Sequence, residues 1–392
     1  MKERIHEVIK LDKIVPGGQT LGRLNDGRKV FVWGGLPGET VEVEITKPKR
    51  TYGEAIVVNV LEATPERIVP KDACYLSTSP WQIMTAASEI KYKSDLVVDM
   101  FAQAGLSIPR VEIAGDDKFY NYRNKMEYSL WWDNETNRIW PAFHRRGSHQ
   151  KILVTSSSIE RPEIWAEVQR IISGLNNKGD EARRYQSILI RCNRAGQISS
   201  GLFEMNKPHP IMSNLTDSIL GHNYTYSPNG FFQINLPVYE LALNAMAPYI
   251  QTEEVVDMYS GVGTIGLSIA RNHRLILIET DNSAFKELEH NLADSGTAQA
   301  RAVHAKSEEA LEYITGNTGI ILDPPRAGLD SLVVKRLNDQ KPPLIIYLSC
   351  NPITQARDIA KLINSYSIVY NQPFNFFPRT PHIENLVVLK RN

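Results

Sequence analysis

Three short segments carry side chains whose types and spacing suit covalent chemistry at one edge of a sheet. Ser349-Cys350-Asn351-Pro352 follows the apolar run LIIYL, so a thiol stands at a strand end before a polar turn. A thiolate there suits nucleophilic catalysis. Cys74 and Cys192 lack such a setting and read as small buried hydrophobes. His382-Ile383-Glu384 precedes the apolar run NLVVLK. Its carboxylate is either a general base for that cysteine or part of an ordinary strand start. Asp323-Pro324-Pro325-Arg326 follows GIIL. Two prolines make a rigid, extended turn with few free N–H groups, which leaves Asp323 and nearby carbonyls at a pocket rim.

A fourth segment suits a cofactor. Asp257-Met-Tyr-Ser-Gly261-Val-Gly263-Thr-Ile-Gly266 contains a GxGxxG after an apolar run, and Glu279 closes the run LILIE 18 residues beyond Gly261. The glycines permit a tight turn and close backbone approach, and the carboxylate suits ribose hydroxyls. This pattern fits a dinucleotide or S-adenosylmethionine. Asp257, before the first glycine, favours the second, whose bound form carries a cationic sulfonium.

These segments need a scaffold. Residues 226–392 alternate short apolar strands with helical runs such as SAFKELEHNLADSG, the pattern of a doubly wound parallel sheet. Ligands in such sheets bind beyond the carboxyl ends of the strands, where all four segments fall. Residues 1–60 read as short strands broken by Gly-Gly, Asp-Gly and Pro-Gly turns, hence a small β-barrel. Lys47, Lys49 and Arg50 cluster beside Tyr52 there. They are a solvated hairpin tip or, in an oligonucleotide-binding barrel, a phosphate track. Residues 61–225 are mixed. ASEIKYKSDLVVDMFAQAG has helical spacing with Gly105 as a candidate cap, and KMEYSLWW and SILIRCNR read as strands. The stretch with His144, Arg145, Arg146 and His149 holds no carboxylate and is the best local phosphate-binding candidate.

Composition narrows the classes. The 392 residues are 42% hydrophobic and 22% charged, which excludes disorder, collagen and coiled coil. The start MKERIHEVIK lacks the apolar core of a signal peptide, and no run is long enough for a membrane span, so a cytoplasmic protein is expected. Three scattered cysteines exclude a disulfide framework. Residues 1–225 carry 30 basic against 27 acidic side chains, and residues 226–392 carry 14 against 17. So weak an asymmetry means that any polyanion site must come from local patches.

The ordered set Phe232-Gln233-Ile234-Asn235, DMYSGVGTIGL, DPPRAG, LSCNP and HIENLV resembles the RNA uracil-C5 methyltransferase family. LPGETVEVEITKPKRTYGEA resembles the TRAM domain, an OB-like barrel, and Asn121-Tyr122-Arg123-Asn124-Lys125-Met126-Glu127 is similar to the family's central domain. The resemblance implies a Rossmann-like methyltransferase domain at 226–392, a mixed α/β RNA-recognition domain at 61–225 and an RNA-binding TRAM barrel at 1–60. It implies S-adenosylmethionine as cofactor and tRNA or rRNA as substrate, with no membrane and no obligatory protein partner. Cys350 would be the nucleophile and Glu384 the base that removes the C5 proton. Gln233, Tyr259, Gly261, Gly263, Thr264, Glu279 and Asp323 would line the cofactor and uracil pocket, with one more contact near Lys306. Lys47, Lys49, Arg50, Arg123, Arg145 and Arg146 would meet RNA. Many relatives hold an iron–sulfur cluster on four cysteines. Here Cys74 is followed by Tyr75-Leu76-Ser77-Thr78-Ser79-Pro80-Trp81-Gln82, and Ser156, Ser157 and Ser158 stand near the last ligand position, so no cluster and no metal are expected. A cytosine-C5 enzyme would carry a second cysteine in the DPP turn. An oxidoreductase would leave Cys350, Glu384 and the barrel idle, and a non-catalytic RNA binder would leave Cys350 and Glu384 idle.

Overall fold

A computed structural model describes residues 5–148 and 150–392. His149 of the basic stretch and the first four residues of the opening segment lie outside the described residues.

Five strands, β1 (His6–Ile14), β2 (Thr20–Arg23), β3 (Lys29–Trp33), β4 (Thr40–Pro48) and β5 (Tyr52–Glu62), close into a barrel in the order β1-β2-β3-β5-β4. Alternation builds it: Val41 and Val43 of β4 are fully buried, and Ile9 and Leu11 of β1 join them in the barrel core. The sequence reading starts its strands at Ile14 and misses β1. Charged residues at most of its outward positions hide the apolar alternation.

A second sheet combines β6 (Lys125–Asp133), β7 (Arg138–His144), β8 (Lys151–Leu153), β9 (Tyr185–Cys192) and β10 (Ile198–Glu204) in the order β10-β9-β6-β7-β8. Helix Pro162–Asn176 lays Ile164, Val168 and Leu175 on it. A hairpin, β11 (Leu215–Ile219) and β12 (His222–Tyr226), leads into the last unit.

That unit is a seven-stranded sheet of β13 (Glu254–Asp257), β14 (Arg274–Glu279), β15 (Ala300–His304), β16 (Thr318–Leu322), β17 (Leu344–Ser349), β18 (Tyr366–Phe374) and β19 (Glu384–Arg391), ordered β15-β14-β13-β16-β17-β19-β18. Five strands are parallel, as expected of a doubly wound fold. Beyond these, β19 runs antiparallel to both β17 and β18. Both faces are covered. Val256, Ile320, Ile345 and Val387 point into one apolar layer, and Val255, Ile321, Ile346 and Val388 into the other. Burial on both sides explains the unbroken Val/Ile/Leu runs.

Helix Ala86–Gln103 begins at Thr85, whose side chain accepts from the Ser88 N–H, and ends just before Gly105 at φ 79°. Its apolar stripe, Leu96, Val97, Met100 and Phe101, packs on the seven-stranded sheet beside helix Pro352–Ala360. Residues of the middle region thus form part of the wall behind the catalytic edge. Among the described residues no helix is long and apolar enough to cross a membrane.

Candidate active site

The cofactor turn follows β13. Gly261 and Gly263 adopt φ 54° and 93°, the left-handed region that glycine reaches without strain. A Cβ on Gly263 would lie 2.8 Å from Leu267 and Leu288, whereas one on Gly261 would meet nothing within 4 Å. One glycine therefore lets the turn pack on the core, and the other leaves open space above it. Asp257 is fully buried, and its Oδ2 accepts from the Gly266 N–H at 3.1 Å. It braces the turn from beneath, and burial raises its carboxyl to about 7.

Glu279 ends β14 at the mouth of the turn. One carboxylate oxygen accepts from the Gly261 N–H at 2.8 Å, and the other from the N–H groups of Thr280 and Asp281 at 2.8 and 2.6 Å. Thr264 opens the following helix and shares a 2.7 Å hydroxyl contact with Tyr239. Tyr259 is half-buried on the core at the base of the turn. Gln233 lies in the loop before helix Leu236–Met246 and is 9% exposed. Lys306 faces solvent and pairs with Glu309 at 3.8 Å.

The thiol and the carboxylate meet through register. In β17 and β19, Ser349 pairs with Asn385. Cys350 follows Ser349 and Glu384 precedes Asn385, so the two flank this last pair at one sheet edge, where the Glu384 charge acts on the thiol. Because β19 is antiparallel, its first residue lies at the same sheet edge as the last residues of β16 and β17. Asp323, just past β16, joins them there. Burial raises Glu384 well above the ordinary carboxylate range, with the Asp323 charge adding to it and Arg326 opposing. Asp323 rises to about 7 through burial and then the charge of Asp257. The Cys350 thiol is pushed up to about 11 by burial, then by Glu384 and Asp323, against the pull of Arg326. The pocket is thus acidic, and Arg326 is the cation that opposes its carboxylates.

Sequence reasoning missed the residues that fix this edge. Arg326 read only as a residue in an unusual proline turn. Its carbonyl accepts from Asn351 Nδ2 at 2.9 Å and from the Thr354 hydroxyl at 3.2 Å, which ties the DPP turn to the helix after Cys350. Gln355, fully buried, donates to the carbonyls of Tyr347 and Asn385 at 2.8 and 2.9 Å, and Asn385 Nδ2 donates to the side chains of Gln355 and Asn371. This network locks the ends of β17 and β19. The available signal was a run of amides in segments otherwise apolar.

The cations expected to meet RNA are dispersed. Lys47 is paired with Glu54 at 3.0 Å, while Lys49 and Arg50 are exposed at the barrel tip. Arg145 is exposed. Arg146 stacks 4.1 Å from the centre of the Trp33 ring and donates to the Leu76 carbonyl, so it joins the barrel to the central sheet. Arg123, Arg146, Lys93 and Arg326 all act on His382 at the catalytic edge. With desolvation the leading cause, they hold its imidazole down at about 4.

Cys74 is buried beside a polar network and its thiol is raised to about 11 by burial. Gln82 Nε2 donates to Asp72 Oδ2 and to Ser79 Oγ, both at 2.7 Å, and the Ser158 hydroxyl donates to the same Asp72 oxygen at 2.7 Å. One thiolate among hydrogen-bonded serines does not fit a cluster held by four thiolates. Among the described residues no group of three or more His, Cys, Asp or Glu side chains is placed to hold a metal.

Comparison with known proteins gives this geometry a context. Residues 214–392 match the tRNA (uracil-5-)-methyltransferase family model, and residues 8–58 match the TRAM domain. An uncharacterised RNA methyltransferase of Fusobacterium nucleatum is 28% identical, the match covering 98% of this chain and 95% of that protein. A counterpart in Thermotoga maritima is 25% identical, covering 98% of each. In fold, the chain is similar to the crystal structure of Pyrococcus abyssi tRNA (uracil-54, C5)-methyltransferase in complex with S-adenosyl-L-homocysteine. That match has a TM-score of 0.78 at 20% identity and covers 98% of this chain and all of the other. Residues 214–392 thus match the tRNA (uracil-5-)-methyltransferase model, and the chain is an S-adenosylmethionine-dependent RNA methyltransferase with an N-terminal TRAM domain.

Proposed function

We propose that this protein methylates C5 of a uridine in structured RNA, tRNA or rRNA, with Cys350 as nucleophile and Glu384 as base. The observation that supports the reading is that Cys350 and Glu384 flank the last β17–β19 pair, Ser349 with Asn385, at one sheet edge.

The turn suits S-adenosylmethionine. Open space beside Gly261 leaves room above the backbone, and the carboxylates of Glu279 and Asp323 stand at either side of the strand-order switch between β13 and β16. Gln233, Tyr259, Gly261, Gly263, Thr264 and Glu279 would hold the cofactor. When bound, S-adenosylmethionine supplies an electrophilic methyl group beside a cationic sulfonium.

The chain's own residues do the rest. Uracil C5 is a poor nucleophile until electron density is forced onto it. Cys350 releases its thiol proton to solvent and the resulting thiolate adds to C6, the C5–C6 π electrons move to C5 and O4, and C5 becomes enolate-like. Once C5 carries both a methyl group and its original hydrogen, Glu384 takes that proton. The C6–S bond breaks and Cys350 leaves as thiolate, restoring the ring. Covalent catalysis thus divides one hard step into easier ones. The target base must leave its stack to reach this edge, which costs a few kcal/mol that pocket contacts offset. Exposed Lys49, Arg50 and Arg145 would meet the RNA backbone.

The test is product analysis. Unmodified tRNA and rRNA incubated with the protein and methyl-labelled S-adenosylmethionine should yield labelled 5-methyluridine after digestion. Label recovered in another methylated nucleoside, or cofactor binding with no labelled RNA from either pool, would contradict the proposal.

A further inference from the structure

Two loops must face each other for this reaction. Residues 227–235 carry Gln233 on the cofactor side, and residues 375–383 lead into Glu384 on the base side. Both are gripped from one short stretch, residues 121–125, at the start of β6. The Tyr122 hydroxyl donates to the Pro378 carbonyl at 2.9 Å. Two residues on, Asn124 Nδ2 donates to the Gln233 carbonyl at 3.1 Å, and the Asn124 N–H donates to the Ile234 carbonyl at 3.2 Å. Lys125 Nζ adds contacts to the carbonyls of Asn229 and Gly230 at 3.2 and 3.0 Å. Tyr122 and Asn124 are both buried, so the two loops are held from inside the molecule.

Each loop has a second hold from a fully buried cation. Lys93 donates to Glu89 Oε1 at 2.9 Å, to Asn375 Oδ1 at 2.6 Å and to the Phe377 carbonyl at 3.1 Å, which uses all three of its protons. Arg191 donates to the carbonyls of Phe232 and Gln233 at 2.6 and 3.3 Å. Loops ordinarily run over the surface because buried carbonyls need partners. Asn229, Phe231 and His382 in these loops are exposed, but the carbonyls of Gln233 and Pro378 are held from within by side chains outside the catalytic sheet.

We propose that Tyr122 and Asn124 are positioning residues that act as a spacer between the cofactor loop and the base loop, with Lys93 as the second anchor of the base side. Neither touches the reacting atoms. Tyr122 sets the approach to Glu384 and Asn124 sets the backbone at Gln233, so their loss has separable kinetic effects. The proposal rests on reading Glu384 as the base.

The experiment uses the full chain, with steady-state kinetics and denaturing gels of reactions with methyl-labelled S-adenosylmethionine and RNA. Tyr122→Phe should lower kcat about 3–10-fold, leave the cofactor KM within about 2-fold, and let methyl-labelled RNA–protein adduct accumulate. Asn124→Ala should raise the cofactor KM about 5–20-fold with kcat nearly unchanged and no adduct. Lys93→Met should repeat the Tyr122→Phe pattern more strongly. Should that variant fail to fold, Tyr122→Phe, which keeps the ring, decides alone. Equal losses of kcat and kcat/KM in both variants without adduct, or no kinetic change in either, would overturn the spacer. Glu384→Gln is run beside them. If it traps adduct and Tyr122→Phe does not, the spacer falls alone; if it traps none, the base reading itself falls.

Discussion

The two ends of the catalytic edge are built in different ways. The cofactor end is local: Asp257, Gly261, Gly263, Gly266 and Glu279 lie on two adjacent parallel strands and the turn between them, joined by backbone N–H groups donating to two carboxylates. The reactive end is non-local. Asp323 and Cys350 follow adjacent parallel strands, but Glu384 joins them only because β19 turns back against β17. The local end needs glycines and one brace. The reactive end needs a buried amide network and loops held from other parts of the chain. Cofactor binding should therefore tolerate damage at the reactive end, and the converse should fail.

The largest effect expected from this contrast is Cys350→Ala. It should lower methylation by about a thousandfold or more, with calorimetric affinity for S-adenosylmethionine unchanged. Loss of cofactor affinity in this variant would show that the two ends are not independent. Glu279→Ala should weaken cofactor binding about 10–100-fold, because it removes the carboxylate at the turn and the acceptor of the Gly261 N–H. Unchanged affinity would remove Glu279 from the cofactor set.

A smaller effect concerns the brace. The Asp257 carboxyl, raised from 3.8 to about 7 in the folded protein, binds its proton more tightly there than in the unfolded chain. Its favourable contribution is present in full below pH 3.8 and is lost as pH rises toward 7. Asp257→Asn, isosteric and uncharged, should therefore gain stability relative to the parent between pH 4 and pH 8, by about 1–4 kcal/mol. Parallel melting-temperature profiles for the two proteins would sink this assignment.

What could be read from the sequence follows the same division. GxGxxG, Glu279, Asp323 and Cys350 stand directly after their strands, and a strand followed by a polar turn is legible without a partner. Glu384 was legible as a carboxylate before a strand, but its closeness to Cys350 depends on a strand direction that alternation cannot encode. β18, with polar residues and a proline in YSIVYNQPF, left no clear run, so the antiparallel edge was invisible. Helix Ala86–Gln103 was plain from its period. Its seat on the catalytic sheet was not, since an apolar stripe says that something covers it and not what does. Nothing in the sequence marks Lys93 and Arg191 as buried; their carbonyl partners are set by the fold.

The central claim is that Cys350 and Glu384 divide the chemistry between bond formation and proton removal, and Glu384→Gln tests it most directly. The variant should still add its thiolate to uracil and reach the methylated stage, but the C5 proton cannot leave, so elimination stalls. A denaturing gel should show a slow RNA–protein band carrying label from the cofactor's methyl group, and peptide mapping should place the link on Cys350. Slow turnover to free 5-methyluridine with no trapped RNA would make Glu384 a structural carboxylate and would contradict the account.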